Sequence, residues 1–136
     1  MHDPDDLHRR IDIIERGYEY LLAYAAQGRQ SDAGSEARQT LTRMHAALDG
    51  LAAQLEAAIG AASATAAGEA AGFIEAIGDD ARKAQGAIGL VLSRPAIGSL
   101  LVDNLNASIH LRALLTDVFL AEQALKSREA GASFGA

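Results

Sequence analysis

Residues 97–120, IGSLLVDNLNASIHLRALLTDVFL, decide how this chain is read. Their apolar side chains recur at three- and four-residue steps rather than at every second position, which is the period of a helix. The stretch contains no proline, and after Gly98 no glycine, so nothing local interrupts it. Placed at about 100° per residue on one continuous helix, Ile97, Leu100, Leu101, Val102, Leu105, Ile109, Leu111, Leu114, Leu115, Val118, Phe119 and Leu120 cover roughly 240° of the circumference. A helix packed on one side needs a much narrower apolar face. The segment is therefore expected to be buried on two sides or covered by a second chain. Asp103, Asn106, His110 and Asp117 remain as its outward ridge.

Asn104, Ser108, Arg112, Thr116 and Glu122 fall inside the apolar sector. A buried guanidinium without a partner is costly, so Arg112 is expected to meet a carboxylate. Glu15, which flanks the stripe of the first helix at a similar level, is the expected partner. Such a group either fixes helix register or lines a polar ligand site, for which the candidates are Glu15, Tyr18, Asn104, Ser108 and Arg112.

Three further amphipathic segments precede this one. The first starts near Asp3, a good N-cap, with Pro4 at the first helical position and Asp5 and Asp6 at the positive end of the dipole. Its stripe is Leu7, Ile11, Ile14, Tyr18, Leu21 and Ala25, and Gly28 is the expected stop. The second carries Ala37, Leu41, Met44, Leu48, Leu51 and Leu55 and ends near Gly60. The third emerges from a small-residue stretch with Ser63 or Thr65 as cap, carries Ala70, Ile74, Ile77, Ala81, Ala84, Ile88 and Val91, and stops at Ser93-Arg94-Pro95. Its glycines, from Gly68 to Gly89, suit close helix approach at some cost in helix stability. The fourth runs from about Ala96 to Lys126. Short connections force antiparallel neighbours. The expectation is an all-α, up-and-down four-helix bundle over residues 1–126 with a flexible tail over 127–136.

A second line on the first helix, Ile13, Gly17, Tyr20 and Tyr24, lies off the Tyr18 stripe. Tyrosine suits surfaces where the ring is covered and the hydroxyl stays wet. With Val102 and Ile109 of the fourth helix, this line is the expected interface of a homo-oligomer, most simply a dimer.

Composition narrows the function classes. The chain has 136 residues, 49% hydrophobic but only 4% aromatic, which favours closely packed helices over a sheet. A formal net charge of −6, with no basic cluster, argues against nucleic acid and anionic lipid. No apolar run approaches the ~18–20 residues of a membrane span. The acidic start lacks the order of a secretion signal, so a cytoplasmic location is expected. There is no cysteine, which removes disulfides, thiolate metal sites and thiol nucleophiles. No Glu-x-x-His pair marks a di-metal bundle, and His45 and His110 are expected on diagonal helices, so no metal or other cofactor is expected. No nucleophile stands beside a base in the sequence pattern. The expected function is non-enzymatic: an accessory protein acting by self-association and partner-protein binding. A small-ligand bundle with a polar core around Arg112, Asn104 and Glu15 is the alternative.

Overall fold

All four amphipathic segments fold as helix, and only the first is unbroken. The computed structural model describes residues 4–135, with side chains over 5–125. Among these residues there are seven helices and no strand: α1 Pro4–Ala25, α2 Ala37–Leu48, α3 Leu51–Ala62, α4 Ala64–Glu69, α5 Ala71–Leu92, α6 Ser99–Ile109 and α7 Leu111–Gly135. The expected cap at Asp3 lies outside the described residues. At the other end the helix continues to Gly135, past the expected limit at Lys126. Among the described residues no helix is long and apolar enough to cross a membrane.

The second segment divides at Asp49-Gly50, where Gly50 takes φ +75°, a left-handed conformation that costs glycine little. The third starts at Ser63 and divides at Ala70. Ser63 extends the chain and accepts the Ala66 N–H at 3.1 Å, capping α4 as its residue type suggests. The fourth divides at His110.

α1 packs against α2 and α6, and α5 packs against the same two, while α3 and α7 continue beyond α2 and α6 along α1 and α5. The core is almost wholly aliphatic, from Leu7 and Ile11 to Val118 and Ala121, and Ser99 is the buried polar residue within it. Gly17 shows why α1 and α2 lie so close: a Cβ there would overlap the Met44 side chain.

One end is tied by polar groups. The Tyr24 hydroxyl donates to Ile97 O at 2.6 Å, and the Ser99 hydroxyl donates to Tyr24 O while accepting the Arg29 N–H. Asp32 accepts the Ile97 N–H at 2.8 Å and pairs with Arg38, which also donates to Leu92 O and Arg94 O. The Ile97 N–H, helped by Arg38, holds the Asp32 carboxyl below its ordinary pKa against the opposing effect of burial. The loops 26–36 and 93–98 thereby satisfy each other's backbone groups.

Candidate functional site

The fourth segment breaks at a position where its sequence has no breaker. His110 sits at φ 47°, ψ 43°, the one non-glycine residue with positive φ among the described residues. An L residue pays a steric cost there, although histidine tolerates it better than most. α7 starts anew, with the Ala113 and Leu114 N–H groups bonded to His110 O at 3.1 and 3.2 Å.

This break explains the over-wide apolar face. The buried residues of α6 are Ser99, Val102, Leu105 and Ile109; those of α7 include Leu111, Leu114, Leu115, Val118 and Ala121. On one continuous helix the triad Val102, Leu105, Ile109 and the α7 set would point about half a turn apart. Each half carries an ordinary stripe, and the left-handed residue rotates both into the same core. The 240° sector belongs to a straight rod, and the folded chain is not straight at His110.

The polar residues of that sector fall outside the core for the same reason. Asn104, Ser108 and Arg112 are exposed and Glu15 is half-buried, so the expectation of a buried Arg112 paired with Glu15 is corrected. Asn106, expected on the outward ridge, instead turns toward α1 and donates to Leu21 O at 3.2 Å. The tyrosine line is corrected too. Tyr24 and Gly17 are buried within one chain, and Tyr20 is half-buried with its hydroxyl accepting the Glu36 N–H. Gly17 faces α2, Tyr20 the loop after α1 and Tyr24 the loop before α6. Val102 and Ile109 are core residues, and Ile13, 36% exposed, is the remaining member of the set at the surface.

Over the break lies an open depression of about 550 Å³. Tyr18 comes from α1, Asn106 from the last turn of α6, and His110, Arg112, Thr116 and Asp117 from the break and the first turns of α7. Tyr18 and Arg112 are thus the two candidate ligand residues that share a surface feature. Arg112 and the amide end of α7 supply positive potential, and Asp117 opposes it. The Asn106 carbonyl oxygen is buried without a hydrogen-bond partner, a local polar deficit beside the break. The arrangement suits a small polar group. Among the described residues no three His, Asp or Glu side chains converge as metal ligands. His45 lies instead against Gly89 of α5.

The polar tie of Tyr24, Arg29, Asp32, Arg38 and Ser99 is absent from the sequence reading. Its one sequence signal is an acid and an arginine at Asp32 and Arg38 around a turn, but the partners at 97–99 are distant in sequence. Compared with known proteins, the chain matches no family model, no curated sequence and no solved structure.

Proposed function

We propose that this is a cytoplasmic, non-enzymatic helical accessory protein, built as an up-and-down four-helix bundle with broken segments, that acts by self-association and partner-protein binding. The observation that carries this reading is the position of its large exposed leucines. Leu90, at the end of α5, and Leu100, at the start of α6, are 70% and 74% exposed and flank the polar-tied loop. Side chains anchored on an ordered frame lose little entropy when a partner covers them. The interior supports the same reading, since its aliphatic filling favours a packed support over an enclosed ligand chamber.

Light scattering across micromolar to several hundred micromolar protein tests it. The expected result is a mass that rises above 14.2 kDa with concentration. Leu90→Glu and Leu100→Glu should weaken partner capture without loss of helicity. A mass fixed at one chain throughout, together with binding unaffected by both substitutions, overturns the proposal.

A second reading rests on the depression over His110, where Tyr18 and Arg112 meet: a small polar or anionic ligand. Arg112→Ala should then abolish a saturable shift of backbone amide signals around residues 106–117 on titration with small carboxylates and phosphates.

A further inference from the structure

The break at His110 is held against the local preference of its sequence. From Ser99 to Ala130 the sequence holds no glycine and no proline, so local propensity favours one uninterrupted helix. The folded chain overrides that preference by holding a single histidine in the left-handed region. Straightening would restore the interrupted helical ladder and remove the steric cost at His110.

It would also move α7. In the folded chain α7 lies against α1, α3 and α5, seated by Leu111, Leu114, Leu115 and Val118. Because the α6 and α7 stripes stand about half a turn apart on a straight helix, a rod from Ser99 to Gly135 keeps its α6 stripe on its own α1 and α5 but turns its α7 stripe outward. Such a rod is roughly 55 Å long. Where α7 also leaves its seat, the slot between α1, α3 and α5 that held it in the closed chain is open to the α7 stripe of a second straightened copy.

We infer that the chain forms a two-fold domain-swapped dimer in which His110 becomes helical and each α7 docks on α1, α3 and α5 of a second copy. The α7 contacts of the closed chain are remade between chains, so the balance is set by the conformation at His110, the restored ladder and the entropy of association. The over-wide apolar sector of the sequence is then the two-sided rod of this dimer. The inference rests on the self-association proposed above and names its mode.

The test uses the contact between α1 and α7. His8 Nδ1 lies 2.9 Å from Glu122 Oε2, and the natural chain has no cysteine. The double variant His8→Cys/Glu122→Cys therefore carries one pair to be bridged by a short bis-maleimide. In the closed chain the bridge lies within one chain; in the swapped dimer it joins two, giving a covalent dimer on a denaturing gel. Adding His110→Ala, which disfavours the left-handed form, should raise the covalent-dimer fraction, and adding His110→Gly should lower it. With two hinges per dimer, the dimerisation constants of these two should differ by roughly tenfold or more.

Covalent dimers that respond in this order support the swap. Intrachain bridges in a protein that light scattering finds dimeric overturn the swap while leaving self-association intact. A mass of one chain at every concentration, in the natural protein and in His110→Ala alike, overturns both. Loss of helicity in His110→Ala also overturns the swap, because the straight form would then be no alternative fold; the response of His110→Gly is read independently.

Discussion

The breaks at Gly50 and His110 use the same backbone conformation, with φ +75° and +47°, and do opposite things. Across Gly50 the stripe keeps its phase: Leu41, Met44 and Leu48 before it and Leu51, Leu55 and Ala58 after it fall on one side of a common helix. Across His110 the stripe reverses by about half a turn. The first break is also closed by a side chain. Arg10 reaches from α1, paired with Asp6 at 2.8 Å, to donate to Ala47 O and Asp49 O, which the end of α2 leaves open, and to Ala46 O, which also accepts the Asp49 N–H. Among the described residues no side chain does this for the carbonyls at His110. The glycine break is capped and keeps the stripe in phase, whereas the histidine break is uncapped and stands between two opposed stripes.

The largest expected effects test whether both breaks are seated in the core. Leu51 and Leu111, immediately after each break, are 1% and 0% exposed. Leu51→Ala and Leu111→Ala should each cost about 2–5 kcal/mol in urea unfolding. A cost below ~1 kcal/mol for Leu111→Ala would mean that the α7 stripe is not held in the core and that the contrast of phases is lost.

Next comes the cap. Arg10→Ala strips Ala47 O and Asp49 O of their donor and should cost about 1–2 kcal/mol. Arg112→Ala, at the exposed first turn of α7, should stay within ~0.5 kcal/mol. Chemical denaturation of the pair decides between a capped and an uncapped break, and equal costs would erase the distinction.

A smaller effect isolates the backbone itself. A Cβ at Gly50 meets nothing within 4 Å, so Gly50→Ala reports the left-handed penalty alone and should destabilise by about 1 kcal/mol. At low concentration, where the closed chain dominates, His110→Gly should shift thermal stability by no more than ~0.5 kcal/mol and toward the stable side. If both substitutions destabilise equally, His110 is not strained.

The smallest effect appears in acid. Its hydrogen bond to Arg10 holds the Asp6 carboxyl below the ordinary range, as the Ile97 N–H does for Asp32. A folded-state value below the unfolded one gives stability that is present above about pH 4 and fades as pH falls through the lower folded value. Asp6→Asn and Asp32→Asn should each flatten the fall in melting temperature between pH 5 and pH 2. An unchanged acid limb in both would show that neither pair contributes.

How much was legible follows from range. Helix period is local, so the stripes of α1, α2 and α5 read correctly, as did Ser63 as a cap and Pro95 as an end. Gly50 is a weak helix former, yet the unbroken stripe from Leu41 to Leu55 conceals the bend because the bend keeps phase. The candidate site was half legible. Tyr18 and Arg112 share the depression, but Glu15, Asn104 and Ser108 do not, because their placement assumed a straight fourth helix. Tyr24 misled through chemistry: its ring is buried and its hydroxyl reaches Ile97 O from another loop, and neither can be seen along α1.

The sequence by itself determined helix as the secondary structure and the apolar stripes of the intact segments, and it excluded cysteine chemistry, because these depend on residue type and near-neighbour spacing. Only the tertiary structure decided where the fourth segment breaks and which way its two halves face. At His110 the local preference for a continuous helix is weaker than the gain from burying Ile109 and Leu111 in one core. That gain exists only once α1, α3 and α5 are there to receive α7.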